Sequence, residues 1–479
     1  MINFFKNLRE IKIIRNSSNY FLGNIATSSI AFFSIPIFTR LLTLSDYGKV
    51  NLFTAFFSVA TIFSSLGFEA AISNKYLKEK HEFGAFLATN LVFLFFVQLL
   101  VLFIFLMTNN YLSVILKVDK EILNLACFSG ILMTAYKIYQ SYLKSSQQSV
   151  KFVQLSVVYA IISMGLSILL IILFKENKYI GRIYGYIIAI IINSSVSLYF
   201  LFKLSNFKFE KKHLIYALSF SIPFLPHLAS QLILSVSDRI IINQLTGAAN
   251  TGLYSFAYNI ATIMLAVTGA LMAAFVPVFY DYLNKNDYES IKNKVKPMTN
   301  FVFFVALFLI LFAKEIIMLM ADEKYYEALN ILPWIIIGYV FFYFYMIYSV
   351  YATYDKKTGV FSLITLSVGV INVLLNYLLI PRFGYKVAAI TTFISYVLLF
   401  LFHFGYAKYI LKKRVIPLSL NLRSFFIFLF SIPFGLWITS FFQNQIINII
   451  FKILFLTLVG VFLLRGQIIK YLKSQQELQ

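Results

Sequence analysis

Polar side chains recur at helical spacing within segments that are otherwise strongly apolar. His227, Gln231, Ser235 and Asp238 follow one another at intervals of four, four and three residues. This spacing places them on one face of a single helix. Such a face fits the wall of a water-filled cavity that holds a polar or charged solute. Hydrogen bonding between packed helices is the alternative interpretation.

A second polar face lies later in the chain. Thr365, Gly369, Asn372 and Asn376 are spaced by four, three and four residues, again on one side of a helix. Asn372 and Asn376 are therefore further candidates to contact the solute. Here too, hydrogen bonding and small-residue packing between helices are the alternative.

Three ionisable side chains fall within apolar segments. Asp238 is followed directly by Arg239, and Glu69 lies near the end of an earlier segment. Charged groups in such surroundings are costly unless they are paired or used. Arg239 is a candidate for phosphate contact, and Asp238 and Glu69 are candidates to couple transport to an ion gradient. The alternatives are a structural salt bridge, pairing of Glu69 with Lys75, or side chains that reach the membrane surface.

The scarce arginines are a further group of candidates. Only 9 of the 41 basic residues are arginine, yet Arg40, Arg182 and Arg239 lie at segment ends away from most of the lysines. The planar guanidinium grips phosphate with two parallel hydrogen bonds, which lysine cannot do. We therefore interpret them as candidates for phosphate binding, with anchoring at the membrane interface as the alternative.

Basic and polar residues form one helical face that extends beyond the end of another apolar segment. Lys137, Ser141, Lys144, Gln148 and Lys151 follow spacings of four, three, four and three residues. Lys137 is thus a candidate to receive a phosphate group at the inner membrane surface. Topological anchoring by basic residues explains the same pattern.

The sequence has no pattern typical of an enzyme or a metal site. Its four histidines lack metal-ligand spacing, and no phosphate-binding loop of the type GxxxxGK[ST] occurs. We predict no catalytic residue, no metal and no cofactor. The net charge of +22 comes without a basic tail or a base-stacking module. We therefore expect anionic membrane lipids, and no nucleic acid, as partners.

Composition places the chain in a membrane. Hydrophobic residues make up 60% of it, charged residues 13%, and the mean hydropathy is +0.82. About fourteen apolar segments are each long enough to cross a bilayer. We predict an all-α, polytopic membrane protein of about 14 transmembrane helices at residues 18–42, 49–73, 83–107, 122–143, 152–174, 180–202, 214–243, 251–279, 297–320, 329–353, 360–380, 386–407, 423–442 and 447–467.

Basic residues alternate between the two sides of these spans. The gaps that share a side with both termini hold 28 of the 41 basic residues, and the opposite gaps hold 13. Cytoplasmic loops carry the excess of lysine and arginine in membrane proteins. Both termini are therefore predicted to be cytoplasmic, and the number of spans to be even.

The chain contains a weak internal repeat. A shift of 204 residues lays residues 40–63 over residues 244–267, so that Gly48 meets Gly252. The shift corresponds to six spans, which gives two repeats of the same orientation about an axis along the membrane normal. We predict a six-helix bundle at residues 1–210, a second at 211–410, and two appended spans with a cytoplasmic tail at 411–479.

Two regions resemble a known family. Residues 20–73 are similar to the first two spans of bacterial oligosaccharide flippases of the O-antigen, Wzx type. Residues 235–263 are similar to the junction of the seventh and eighth spans of the same family. These proteins belong to the multidrug/oligosaccharidyl-lipid/polysaccharide exporter superfamily, and the agreement in length and span count extends over nearly the whole chain.

The resemblance implies two six-helix bundles around a cavity that opens alternately to each side. It implies a cargo of undecaprenyl-pyrophosphate-linked oligosaccharide, an O-antigen or capsule repeat unit, moved to the outer leaflet of the bacterial cytoplasmic (inner) membrane. The polymerase and chain-length proteins of the same pathway are the further partners that it suggests.

Two rival functions remain at this point. A proton- or sodium-coupled multidrug exporter of the same superfamily would need acidic cavity residues, whereas the charges within these spans lean basic. A membrane-bound glycan polymerase or acyltransferase would need a large loop or a catalytic histidine pair, and no loop exceeds about 20 residues.

Two further patterns concern the helices themselves. Pro36 in the first span, and Pro223 with Pro226 in the seventh, predict bending of these corresponding helices during transport, with a static kink as the alternative. The five tyrosines at residues 343–354 indicate an aromatic belt at the cytoplasmic interface rather than a sugar-stacking surface.

Overall fold

The computed structural model describes residues 2–355, 357–441 and 444–476, and these contain helices and no strand. Side chains are described for residues 18–355, 357, 359–441 and 444–463. Residues 1 and 477–479 lie outside the described range, so the cytoplasmic location of the termini stays a prediction.

The chain forms two compact units, residues 1–255 and 256–479. The helices that begin in the first unit are α1 (Ile2–Leu41), α2 (Leu44–Ser65), α3 (Phe68–Lys78), α4 (Phe83–Leu116), α5 (Lys120–Ser145), α6 (Ser149–Leu173), α7 (Lys178–Leu204), α8 (Lys211–Ser221), α9 (Leu225–Thr246) and α10 (Ala248–Asn284). Helix α10 continues into the second unit. The helices that follow it are α11 (Tyr288–Leu311), α12 (Ala313–Met320), α13 (Leu332–Tyr354), α14 (Thr358–Phe383), α15 (Val387–Gly405), α16 (Leu422–Ser440) and α17 (Gln445–Gln476).

The predicted number of spans is confirmed. In the described residues, thirteen helical segments are long and apolar enough to cross a membrane, and the α2–α3 pair supplies the fourteenth. The predicted division at residue 210 stays a prediction. Helices α8 and α9 pack against α2, α3 and α4 within the first unit, so its compact boundary falls later, at residue 255.

The second span is broken rather than continuous. Helix α2 ends at Ser65, and α3 begins at Phe68 after a bend of 45°. Leu66 and Gly67 between them both have positive φ, at 48° and 69°. The left-handed region is unfavourable for a residue with a side chain but not for glycine. Gly67 therefore adopts its φ without strain, and Leu66 does not.

The seventh span is continuous but contains an irregular turn, which packs against the break in the second span. A short 3-10 turn over Ile222–Phe224 separates α8 from α9, and it contains Pro223. The hydroxyl of Ser221 donates to the carbonyl oxygen of Gly67 at 3.4 Å. A Cβ on Gly67 would lie 2.9 Å from Cδ1 of Leu228. The turn in the seventh span therefore supports the break in the second, and α1 continues through Pro36.

The repeat-related glycines Gly48 and Gly252 meet where α2 crosses α10. A Cβ on Gly48 would overlap the carbonyl oxygen of Ala248, and a Cβ on Gly252 would overlap that of Leu44. Leu44 and Ala248 are themselves 204 residues apart, so the contact is reciprocal under the sequence repeat.

The second unit has an interior rich in tyrosine. Tyr339, Tyr343 and Tyr351 are fully buried, and Tyr345 and Tyr348 are nearly so. The prediction of an aromatic belt is therefore wrong for Tyr343, Tyr345, Tyr348 and Tyr351, whereas Tyr354, the fifth predicted tyrosine, is half-buried. Their rings pack against neighbouring aromatic residues of α13 and α15, where a large flat side chain fills space between helices.

The glycine crossing generates a stability prediction. Replacing Gly252 by alanine forces a methyl group into the backbone of α2, so we expect a loss of about 1–3 kcal/mol or more in stability. Gly269→Ala on the same helix is the matched control, because no packed neighbour among the described residues lies within 4 Å of the point where its Cβ would lie. Thermal unfolding of the purified protein in detergent measures both. Equal melting temperatures for the two variants would contradict the crossing.

Candidate functional site

Asp238 is buried and bonded to a tyrosine that the sequence did not indicate. The hydroxyl of Tyr254, on α10, donates to Oδ2 of Asp238 at 2.6 Å. Asp238 is 3% exposed and Tyr254 is fully buried. A carboxylate within a membrane helix needs such a donor to be tolerated. The pair thus provides a hydrogen bond to a buried carboxylate inside the helical packing.

The rest of the predicted polar face of α9 remains accessible. Gln231 and Ser235 are exposed, and His227 is half-buried. The side-chain nitrogen Nε2 of Gln231 lies 3.3 Å from Nε2 of His227. Asp238 turns inward from this row, and Arg239 beside it is half-buried. The face therefore presents polar groups on one side of the helix and a buried carboxylate at its end.

Two of the predicted arginines lie near the end of α1. Arg182, on α7, donates to the hydroxyl of Ser167 on α6, and its guanidinium carbon lies 4.0 Å from the ring centroid of Phe38. Arg40, two residues after Phe38, is exposed and donates to the carbonyl oxygen of Pro36 at 3.3 Å. The structure thus brings both arginines to the same helix end, with Arg182 fixed by its stacking and hydrogen bond.

Glu69 lies at the broken second span. It stands in the first turn of α3, and its carboxylate accepts a hydrogen bond from the Ser65 hydroxyl at 3.3 Å. Its carbonyl oxygen accepts from the hydroxyl of Ser141 on α5. Lys75, the predicted alternative partner, bonds instead to Glu79 and Glu82. Glu69 is therefore a half-buried carboxylate at a helix start, beside the break in the second span.

Lys137 lies one helical turn from Ser141 on α5. It is half-buried, and within the described residues no hydrogen bond or ion pair engages its ammonium group. Because Ser141 contacts Glu69, α5 holds Lys137 on the side that carries the broken span. The ammonium group is thus available to an anion.

Asn372 and Asn376 are buried within the second unit. The side-chain amide of Asn376 donates to Oδ1 of Asn372 at 3.3 Å, and Thr391 of α15 donates to Oδ1 of Asn376. Both asparagines are at most 2% exposed. In this conformation they join α14 to α15, which is the interhelical hydrogen bonding weighed as the alternative.

An apolar groove between α16 and α17 is a feature that the sequence did not reveal. It has a volume of about 1180 Å³ and is lined mainly by aromatic and branched aliphatic side chains, with Arg423 at one end. The lining residues of α16 extend from Arg423 to Trp437, which corresponds to about 21 Å of helix. A groove of this length and composition fits a long hydrocarbon chain.

An ion pair connects α17 with α12. Nζ of Lys452 is 2.7 Å and 2.9 Å from the two carboxylate oxygens of Glu315 on α12. Lys452 is 5% exposed. The pair joins α17 to α12 within the second unit, and its two opposite charges neutralise one another.

A family profile matches more than half of the chain. The profile described as "Polysaccharide biosynthesis protein" matches residues 13–283. A second profile, described as "MatE", matches residues 223–378.

Two relatives are similar to this chain over more than half of its length. The "Lsg locus putative protein 1" of Haemophilus influenzae is 24% identical over 284 residues, which is 57% of this chain and 68% of that protein. The "Capsular polysaccharide biosynthesis protein CapF" of Staphylococcus aureus is 24% identical over 410 residues, covering 83% of this chain and 100% of that protein.

Solved structures share the fold. The lipid II flippase MurJ in an inward closed conformation has a TM-score of 0.73 at 18% identity, covering 95% of this chain and 100% of that one. An inward-facing multidrug resistance transporter of the MATE family has a TM-score of 0.63 at 15% identity, covering 81% and 96%. At these identities the likeness establishes the arrangement of helices.

Proposed function

This chain belongs to the polysaccharide biosynthesis protein family, and we propose that it is a flippase for a lipid-linked oligosaccharide. In this proposal it carries an undecaprenyl-pyrophosphate-linked repeat unit from the inner to the outer leaflet of the bacterial cytoplasmic membrane by alternating access. The observation that carries the proposal is the apolar groove with a guanidinium at its end. It can hold the hydrocarbon part of an amphipathic cargo while the polar part crosses by a separate, polar path.

The groove supports a division of the cargo between two environments. A polyprenyl chain gains about 25 cal/mol for each Å² of apolar surface removed from water, and it can obtain this from the groove or from the bilayer. A pyrophosphate and several sugars cannot enter hydrocarbon without a large penalty. The protein therefore has to supply a polar path for the head alone, and the tail can slide along α16 and α17.

Cationic side chains are proposed to guide the pyrophosphate. Lys137 receives it at the cytoplasmic side, since its ammonium group is available. Arg40, Arg182 and Arg239 contact it towards the outer side, where a guanidinium fork suits phosphate oxygens. Neutralising the phosphate charge along the path lowers the barrier to crossing.

Polar side chains are proposed to contact the sugars. His227 and Gln231 present an accessible pair of nitrogen groups on α9. Asn372 and Asn376 reach the glycan only after α14 and α15 separate, because their amides are bonded to each other and to Thr391. The glycan then replaces hydrogen bonds that the helices make in this conformation.

The MatE match raises the multidrug exporter as a second candidate, since it covers the seventh to eleventh spans. A cationic drug would be repelled by the arginines and lysine that we assign to the path. In either case the proposed location is the cytoplasmic membrane with both termini inside, and no catalytic step is assigned. The polymerase and chain-length proteins of the glycan pathway are proposed as neighbours of a flippase.

Deletion of the gene in the native host tests the function directly. We expect surface polysaccharide to be lost and undecaprenyl-linked repeat units to accumulate in the cytoplasmic leaflet, because the polar head cannot cross unaided. Extraction and mass spectrometry of lipid-linked glycans measure the accumulation. A normal surface polymer with altered drug sensitivity would instead support the exporter.

The groove generates a matched pair of variants. Leu458→Trp fills the groove, whereas Leu454→Trp adds the same bulk one helical turn earlier, at an exposed position that does not line it. We expect Leu458→Trp to slow glycan-lipid translocation in reconstituted vesicles by about tenfold, the equivalent of losing roughly 1.4 kcal/mol of tail binding. Leu454→Trp should retain the original rate. Equal rates for the two variants would remove the groove from the mechanism.

Ion coupling is proposed to use Asp238 and Glu69. An imposed proton or sodium gradient should accelerate translocation in vesicles, because a carboxylate that binds the ion changes its charge as the protein cycles. Asp238→Asn and Glu69→Gln remove that charge change, and the acceleration should disappear in each. Asp281→Asn, at an exposed carboxylate paired with Lys285, is the control. A gradient response that survives both substitutions would refute the assignment.

A further inference from the structure

A second, smaller pocket lies at the surface of the second unit, away from the groove. It has a volume of about 220 Å³ and is formed where the start of α11 meets the irregular segment that follows α15. Tyr288 and Lys292 line it from α11, and Arg414, Val415 and Ile416 line it from the irregular segment. The charge pattern of the sequence predicts that both segments face the cytoplasm.

The two cationic side chains of this pocket have defined contacts, but carboxylates neutralise their charges only in part. The guanidinium of Arg414 lies 5.2 Å from the ring centroid of Tyr288, and no carboxylate in the described residues pairs with it. Lys292 has one partner, the exposed Glu289 at 3.2 Å. The pocket therefore has one positive charge, on Arg414, that no carboxylate in the described residues neutralises, and a second, on Lys292, that Glu289 partly neutralises.

Backbone donors add to these cations. Within the described part of the chain, the N–H groups of Arg414, Val415 and Ile416 have no hydrogen-bond partner. Ile416 is 4% exposed, the least of the three, and buried backbone N–H groups are rarely left without a partner. Successive unpaired N–H groups form concavities that bind anions.

The segment is held in place by contacts that leave those donors unused. Nζ of Lys413 is 2.8 Å from the carboxylate of Asp355, and its backbone N–H donates to the carbonyl oxygen of Ala407. The hydroxyl of Tyr348 donates to the carbonyl oxygen of Ile416 at 2.9 Å. Because carbonyl and side-chain groups fix the segment, its N–H groups are ordered before any ligand arrives.

We infer that this pocket is a binding site for the phosphate group of an anionic lipid of the cytoplasmic leaflet. Arg414 and Lys292 supply charge-assisted hydrogen bonds, and the backbone N–H groups complete the coordination of the phosphate oxygens. The lipid is favoured over a soluble phosphate because Leu418 and Leu422, just beyond the pocket, are 44% and 46% exposed where α16 begins. Acyl chains can lie along them while the phosphate sits in the pocket.

Native mass spectrometry of the full-length protein in detergent, titrated with phosphatidylglycerol, tests the site. The double variant Arg414→Gln/Lys292→Gln should weaken binding of one lipid molecule by at least about tenfold, since it removes two hydrogen bonds to a charged group. Lys412→Gln/Lys294→Gln is the control. It removes the same charge from the same two segments at exposed positions that do not line the pocket. Equal weakening in both double variants would overturn the site.

The aromatic ring provides an independent check that does not change charge. Tyr288→Phe keeps a ring beneath the Arg414 guanidinium and should bind the lipid normally, whereas Tyr288→Leu should weaken binding because Arg414 loses its support. Equal affinities for these two variants would count against the proposed geometry.

Competition identifies the source of the phosphate. Phosphatidylglycerol that is not displaced by an excess of inorganic phosphate supports a lipid site. Displacement by inorganic phosphate would overturn the lipid assignment and leave a site for a soluble phosphate. The measurement uses no glycan-lipid, so it succeeds or fails independently of the proposed flippase activity.

Discussion

The close crossing of α2 and α10 at Gly48 and Gly252 constrains much of the first unit. Neither position has room for a Cβ, so two backbones meet where side chains would normally hold helices about 8–10 Å apart. Tyr254 follows Gly252 by two residues, and the crossing therefore helps to set where its hydroxyl meets Asp238. Small residues at crossings let membrane helices pack closely. This packing matters because lipid provides no hydrophobic driving force for helix association.

The far end of α2 shows how a membrane helix can be interrupted. Breaking a helix frees backbone groups that hydrocarbon cannot satisfy. Here the N–H of Gly67 donates to the hydroxyl of Ser65, and the hydroxyls of Ser221 and Ser141 donate to the carbonyl oxygens of Gly67 and Glu69, so hydroxyl groups bond the backbone around the break. A break supported by weak and exchangeable hydroxyl contacts can change its angle at lower cost than an unbroken helix can bend. The proximity of Glu69 to this break is the reason that we propose it for ion coupling.

The sequence predicted the spans well and their interruptions poorly, for identifiable reasons. Hydropathy locates apolar segments, and even the charged entry at Lys117–Glu121 did not hide the fourth predicted span, which became α5. Hydropathy contains no information on φ, so the turn at Leu66 and Gly67 was not predicted. The tyrosines of α13 were assigned to the interface because composition alone cannot separate an aromatic belt from an aromatic interior. The groove was missed because its lining residues have the same character as lipid-facing ones.

The same limitation applies to the polar residues, where spacing predicts a face but cannot show whether the polar groups on it are already satisfied. Asn376 accepts from Thr391 and donates to Asn372, so binding a sugar there exchanges one set of hydrogen bonds for another with little net gain. An ammonium group such as that of Lys137, which no carboxylate in the described residues neutralises, gains a full charge-assisted interaction when an anion arrives. Whether a polar group already has a hydrogen-bond or ionic partner therefore decides how much binding free energy it can contribute. Only a structure shows those partners. In the flippase that we propose, the cationic groups by this criterion dominate recognition of the pyrophosphate, and the asparagines mainly hold α14 against α15.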